Sequence, residues 1–422
     1  MGSSSSRNIL SNCFFRKIII IKKTFEISVI GMRILLATES YYPNIDGGAV
    51  AQHRLVTQFI KNGHEVVVIA PGFSFKNIVE TNSDGSKVFR VRGIKLPLYM
   101  DGRYTFSPFP IFQVNRIIKK FRPDIINICS PYPISISALV CAKKYHIPVV
   151  GSIHVLPENM LSPLLRSQYY DTIKNYAWAY LIYFYNLVDW ATVPTKTGAE
   201  MFTKRGLKTR ITPVSNGVDL DVFNPNNDGE YLRKKIGLPE RTIVLYTGRI
   251  SAEKNLDVLI KAIPYVIRRV DAHFLICGSG GVYRQEIIRL AEKIHVRENT
   301  TFIDFLDWKD YPNIYSIADV FAIPAESELQ SIVTMEALAS GLPVVAVNKG
   351  ALPELVSLNN GLLFEPQNSK QMADHIVRIL SDEKLRKDMG AKSLELIKKH
   401  SIDYICSQYE KIYSTLTGNV SD

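Results

Sequence analysis

Two doubly wound, Rossmann-like α/β domains facing each other across a cleft are the fold class this sequence predicts, on three observations. The chain has 422 residues, too many for one compact core, and with 46% hydrophobic and 22% charged residues it reads as soluble and globular. From Met32 onward, short apolar runs alternate with amphipathic stretches. That alternation occurs twice, on either side of a boundary near Lys204 to Thr212. Apolar strands that need both faces covered belong to parallel sheets wrapped by helices.

Residues 1–31 come first and fit none of this. The apolar run Ile18 to Ile21 is bracketed by Arg16-Lys17 and Lys22-Lys23, too short and too charged to span a bilayer. The segment reads as a leader, a start codon placed too early or a weak interfacial helix, outside the fold. In residues 32–208, the expected N-terminal domain, the strand candidates are Arg33 to Ala37, Glu65 to Ala70, Ile125 to Ile128, Val149 to Ile153 and Ala191 to Pro194. Between the first two, Val50, Leu55, Val56, Phe59 and Ile60 recur at helical spacing, and Gly63 stops the helix. Residues 209–400 repeat the scheme with strands at Thr242 to Thr247, His273 to Cys277, Thr301 to Phe305, Val320 to Ile323, Pro343 to Val347 and Gly361 to Phe364. A helix is expected from Glu253, and residues 401–422 are expected to form a last helix crossing back to the first domain.

Five scattered cysteines, Cys13, Cys129, Cys141, Cys277 and Cys406, suit a reducing cytoplasm better than a disulfide framework or a metal cluster. The net charge of +11 divides unevenly: +4 in residues 1–31, +10 in 32–208 and −3 in 209–422. The basic half reads either as general solubility or as attraction to an anionic surface. No RNA-binding signature accompanies it, so nucleic acid is not an expected partner.

Open parallel sheets bind ligands at the carboxyl ends of their strands, so chemistry is sought there. After the first strand, Gly47-Gly48 precede a helix, which suits either plain turn geometry or a backbone approaching an anion at a helix N-terminus. The pattern G-x-G-x-x-G is absent at this position, which argues against hydride transfer. After the Thr242 strand stand Arg249 and Lys254, a fork and an ammonium suited to a diphosphate or to surface pairs with Glu253 or Asp257. Glu328 lies in the loop after the Val320 strand and Glu336 two helical turns on. Eight residues of one segment separate them, with a helix N-terminus between. Paired hydrolytic carboxylates usually come from separate elements. This segment instead suits a clamp: a sugar hydroxyl at Glu328, a phosphate or sugar oxygen on the backbone of Gln330, Ser331 and Ile332, and a ribose diol at Glu336. Apolar neighbours in "VTMEALASGLPVV" place Glu336 inside.

With these residues in view, the sequence resembles the retaining glycosyltransferases of the GT-B fold in family GT4. The resemblance rests on E-x7-E at Glu328 to Glu336 with "ALASGLPVVA" after it, "SNGVDLDVFNP" from Ser215, "TGRISAEKNLDVLIKA" from Thr247, "CGSGG" from Cys277, "GALPELV" and "NNGLLFEP", and runs from about Met32 to Tyr413. It implies that Glu336 binds the ribose, Glu328 the transferred sugar, and Arg249 with Lys254 the diphosphate. The nucleobase is implied near Gly278 to Gly281 and Asp304 to Leu306, with Gly278, Gly280 and Leu306 in contact and Gly48 reaching the phosphates from the opposite domain. Asn216 and Gly248 fall within the matched motifs. His154, in "GSIHVLPEN", matches the family's cleft histidine. Ser331 stands where the family often has Gly, which bears on sugar identity.

The implied catalytic set is His154, Arg249, Lys254 and Glu328. The implied donor is a nucleotide sugar of the UDP-glucose or GDP-mannose type, with no metal. "GSIHVLPENM" and "SELQSIVTMEALASG" look most like transferases acting on membrane lipids such as diacylglycerol. The expected enzyme is therefore cytoplasmic and peripheral on the inner face of an anionic membrane. In "YYDTIKNYAWAYLIYFYNLVDW", Tyr176, Tyr180 and Leu187 at helical spacing read as core more readily than as a lipid path. A soluble glycan or small-molecule acceptor, a nucleotide-sugar epimerase and a non-catalytic nucleotide-sugar binder are the alternatives.

Overall fold

The computed structural model describes residues 31–418 apart from 45, 83, 96–104 and 162–167, so the expectation for residues 1–30 lies outside the described residues. The first sheet is built from β1 (Arg33–Ala37), β2 (Glu65–Pro71), β3 (Ile78–Thr81), β4 (Lys87–Val91), β7 (Ile125–Ile128), β8 (Val149–Ser152), β9 (Trp190–Val193) and β10 (Ile211–Pro213). Its order is β10-β9-β8-β7-β1-β2-β4-β3, parallel except for β3 against β4. A separate two-stranded ribbon pairs β5 (Ile94–Lys95) with β6 (Thr105–Phe106). The helices that matter below are α1 (Gly47–Lys61), α2 (Ile111–Phe121), α3 (Pro133–Tyr145), α4 (Tyr170–Tyr185), α5 (Lys196–Lys204), α6 (Leu256–Ile267), α7 (Ile332–Ala339) and α8 (Ile402–Thr417). The second sheet holds β11 (Thr242–Thr247), β12 (Ala272–Cys277), β13 (Thr300–Ile303), β14 (Val320–Ile323), β15 (Val344–Val347) and β16 (Gly361–Phe364), all parallel, in the order β13-β12-β11-β14-β15-β16.

Burial explains the parallel arrangement. Along β1, Ile34 and Leu36 enter one core with Val66, Val68 and residues of α8, while Leu35 and Ala37 enter the other with Ile126 and Ile128. Both faces are covered, as uninterrupted apolar strands require. The four described cysteines are free and buried. Among the described residues, no helix is long and apolar enough to cross a membrane.

Two features differ from expectation. The first sheet does not end before residue 209, because β10 pairs in register with β9, Ile211 against Ala191. The run 211–213 is only three residues long, too short to carry a strand pattern by itself. Tyr176, Tyr180 and Leu187 are not core: all three are exposed, and α4 buries Trp178, Leu181, Phe184 and Tyr185 instead.

The chain passes between the domains twice, and the two passes are stitched together. Val218 N–H donates to His400 O at 2.8 Å and Ile402 N–H to Val218 O at 2.9 Å. Beyond this, α8 lies on the first domain, where Tyr413 Oη accepts from Asn127 Nδ2 at 2.7 Å and Tyr409 Oη meets Thr192 Oγ1 at 3.1 Å. Its Ile405, Tyr409, Ile412 and Tyr413 are buried, each such side chain contributing roughly 1.5–3 kcal/mol. The domains also trade core residues: Leu329 enters the first domain's core and Ala51 the second's.

Candidate active site

In each sheet the strand order reverses beside one strand, and the crevice opens at its carboxyl end. In the second sheet that strand is β11, between β12 and β14. Its exit is tightly built: Gly248 N–H donates to Cys277 O at 3.0 Å and Gly278 N–H to Ile303 O at 2.8 Å. A Cβ on Gly278 would lie 1.8 Å from Gly248 O, and one on Gly280 2.0 Å from Ile250 O. These glycines are therefore required by the close approach of two strand exits, whatever they also contact. Leu306 is partly buried against the same core.

Arg249 donates to Glu253 Oε1 at 2.9 Å, the pairing foreseen as an alternative to phosphate contact. Lys254 is not in the first turn of an α-helix as expected. It ends a short 3-10 turn, Ala252–Lys254, and Asn255 in the left-handed region (φ 49°) separates that turn from α6. This turn brings Lys254 Nζ to 2.7 Å from Glu328 Oε1, with the two side chains 16% and 12% exposed. The clamp segment thus begins with a shielded ion pair.

Ser331 follows in extended backbone (φ −86°, ψ 104°) and its Oγ caps α7, accepting from Thr334 N–H. Those angles are ordinary for an L-residue, so Ser offers its backbone N–H as Gly would. Gln330 turns away from this terminus. Its Oε1 accepts from Asn216 N–H at 2.8 Å and Ser215 Oγ at 3.1 Å, and its Nε2 donates to Pro194 O at 3.4 Å. Thr195 Oγ1 adds a bond to Leu329 O at 2.9 Å. The clamp loop is therefore fastened to the first domain.

Glu336 is 2% exposed and takes three side-chain hydrogen bonds. Tyr315 and Tyr311 hydroxyls donate to its Oε2 at 2.7 and 3.1 Å, and Arg54 of α1 donates to Oε1 at 2.5 Å. Sequence reasoning missed Arg54, Tyr311 and Tyr315. Arg54 stands two helical turns after Gly47, on the same face of α1, which is the signal that was available.

From the first domain, α1 points its N-terminus at the cleft, capped by Asp46 Oδ1 accepting from Ala49 N–H at 3.0 Å. A Cβ on Gly47 would sit 3.4 Å from Ile332 Cδ1, so the N-termini of α1 and α7 face one another. Gly48 lies against His154: its Cβ would be 3.7 Å from His154 Cβ. His154 Nδ1, Asn216 Oδ1 and Gln52 Oε1 are buried and find no hydrogen-bond partner among the described residues, around a cavity of about 10 Å³ also lined by Ser152, Ser215 and Tyr409. That is room for one water. Burial pulls His154 down to about 4, against smaller opposing effects of Asn216 and Asp46, so its imidazole is neutral at pH 7.

The structure thus gathers Gly47, Gly48, His154, Asn216, Gln330, Ser331 and Ile332 at one crossing of the cleft. Lys254 with Glu328 and Arg54 with Glu336 form two ion pairs along the clamp. Two facing helix N-termini make a place where added negative charge meets donors already in position.

The chain resembles known proteins in both of its halves. Residues 45–222 match the family model described as "Glycosyltransferase Family 4" and residues 228–395 the one described as "Glycosyl transferases group 1". An uncharacterized glycosyltransferase, MJ1607, of Methanocaldococcus jannaschii is 29% identical over 90% of this chain and 98% of its own. A GDP-mannose-dependent alpha-mannosyltransferase of Corynebacterium glutamicum is 24% identical over 91% and 89%. The alpha-monoglucosyldiacylglycerol synthase of Streptococcus pneumoniae is 24% identical over 77% and 73%. Among solved structures, a sucrose-phosphate synthase from Thermosynechococcus elongatus superposes with a TM-score of 0.75 at 19% identity, covering 92% of this chain and all of that one.

Proposed function

The chain belongs to glycosyltransferase family 4, with the GT-B fold, and moves a sugar from a nucleotide sugar; from that premise we propose that its acceptor is a membrane lipid such as diacylglycerol. The enzyme then works peripherally, on the cytoplasmic inner face of an anionic membrane. One observation carries this reading. Helices α2, α3 and α4 of the basic domain expose aromatic and apolar side chains beside cations. Phe112 is 81% exposed and shares the outer face of α2 with Arg116, Lys119 and Lys120. The outward side of α3 adds Val140, Lys143 and Lys144, and α4 adds Tyr176 (74% exposed) and Tyr183. Apolar side chains exposed near cations suit a bilayer carrying negative charge. The name of the Streptococcus relative, alpha-monoglucosyldiacylglycerol synthase, points the same way.

On the donor side, the diphosphate lies between the facing N-termini of α1 and α7, with Arg249 and Lys254 as cations. Glu336 takes the ribose, Glu328 and His154 the hexose, and Gly278, Gly280 and Leu306 border the base. The tight β11 and β12 exits and the shielded Lys254–Glu328 pair support this placement. As the bond from the anomeric carbon to phosphate oxygen breaks, charge grows on the diphosphate where donors already wait. The acceptor oxygen bonds to the same face of that carbon and its proton passes to the departing phosphate oxygen, so configuration is retained. Neutral His154 accepts or donates a hydrogen bond at the sugar without adding charge.

The test is turnover on anionic vesicles containing diacylglycerol, with UDP-glucose and GDP-mannose supplied separately and Glu336→Ala as control. A lipid-linked sugar absent from the control is the expected result. Donor binding without lipid product overturns the lipid acceptor and directs the search to soluble glycans and small molecules.

A further inference from the structure

Glu336 is held by residues of both domains, and that division is informative. Its Oε2 accepts two tyrosine hydroxyls from the second domain, and Tyr315 Oη also meets Thr247 Oγ1 at 2.9 Å, one residue before Gly248. Its Oε1 is met by Arg54 Nη2 from the first domain, at 2.5 Å with both side chains almost fully buried. The guanidinium is fixed on its other sides: Nη1 lies 3.4 Å from Gly217 O, and the group stands 5.1 Å from the centre of the Phe223 ring. A carboxylate offers about four lone-pair positions. Three are filled, and the one left is on Oε1, beside Arg54.

We propose that Arg54 is a positioning residue for ribose recognition: by occupying one lone pair of Glu336 Oε1 it aims the other at a ribose hydroxyl, so the carboxylate is correctly set only while the acceptor domain is closed on the donor domain. This rests on the reading of Glu336 as the ribose contact. Among the described residues the buried carboxylate has no other cation as a hydrogen-bond partner, and a tyrosine hydroxyl cannot replace the fixed fork of a guanidinium. Arg54 touches neither sugar nor phosphate in this scheme and acts through Glu336.

The experiment is a calorimetric titration of the full chain with UDP and GDP and with the 2′,3′-dideoxy form of each. Wild type is expected to prefer the ribonucleotide by about tenfold or more, the loss of one hydrogen bond to a charged group. Arg54→Met, shown to be folded by its melting curve, is expected to bring that preference to within about twofold while still binding the dideoxy form. Arg54→Lys keeps charge without the fork and is expected to restore only part of it. If Arg54→Met does not fold, the lysine variant is read in the same way. A wild type that ignores the ribose hydroxyls overturns the ribose reading of Glu336 itself. A wild type that discriminates, with variants that discriminate equally or lose both ligands in proportion, overturns the role of Arg54 and leaves Glu336 standing.

Discussion

Replacing Lys254 by Met separates the two tasks that its position implies. The Nζ to Oε1 distance to Glu328 is 2.7 Å and both side chains are more than four-fifths shielded. Exposed ion pairs contribute about 0–1 kcal/mol, whereas removing one partner of a buried pair costs about 3–5 kcal/mol. A shielded pair at a cleft edge falls between, so a loss of about 2 kcal/mol is expected, or roughly 4–8 °C in melting temperature for a domain of this size. The effect on rate is distinct. An ammonium facing a departing diphosphate acts like an oxyanion donor, whose removal lowers kcat by about 10²–10³. The two effects are read apart by initial rates well below the melting transition. Glu328→Gln added to Lys254→Met is expected to recover stability, since the lone carboxylate is gone, and to recover no rate. A folded Lys254→Met enzyme whose kcat stays within about threefold of wild type would refute the argument and leave Lys254 a purely structural partner of Glu328.

Three further outcomes are expected. His273, buried on β12 and beside Arg241 and Arg233, is pulled to about 4, chiefly by burial. The unfolded chain takes up this proton near pH 6.5, so stability is lost as pH falls from there to about 4, up to roughly 3 kcal/mol; urea midpoints at pH 7.5 and 4.5 should show a smaller difference in His273→Leu than in wild type, and an equal difference contradicts this. Gly278→Ala is expected to melt well below wild type and to lose nucleotide affinity, because its Cβ falls 1.8 Å from Gly248 O. Gly48→Ala, whose nearest atom is 3.2 Å away, should fold, and equal melting of the two contradicts the close-approach argument. Phe112→Ser with Lys119→Glu and Lys120→Glu should reduce sedimentation with anionic vesicles and leave nucleotide affinity unchanged; undiminished sedimentation removes α2 from the membrane reading.

The two sheets and their strand exits were legible because parallel strands buried on both faces leave continuous apolar runs. Burial of Glu336 was legible for the same reason, from its neighbours. The antiparallel β3 was not: it is mostly exposed, and only the turn at Asp84-Gly85, with Gly85 at φ 85°, marks its connection to β4. Helical period placed Tyr176 and Tyr180 on one face of α4 but not on which side that face lay; the opposite face meets the core through Trp178 and Leu181. The left-handed Asn255 displaced Lys254 from the helix; Asn tolerates that geometry but adopts it too seldom to mark a break from sequence. Least legible were Arg54, Thr195 and the side chain of Gln330. Their partners lie across the cleft, and pairing across a cleft depends on how two domains sit together.

The central claim is that the cleft between the two sheets grips a nucleotide sugar through cations and facing helix N-termini. Titration calorimetry of the full chain with UDP-glucose and with GDP-mannose, repeated on Arg249→Met/Lys254→Met, tests it most directly. The account predicts saturable binding of one of the two donors that the double variant loses. Undiminished binding in a folded double variant, or binding of neither donor by the wild type, would contradict it.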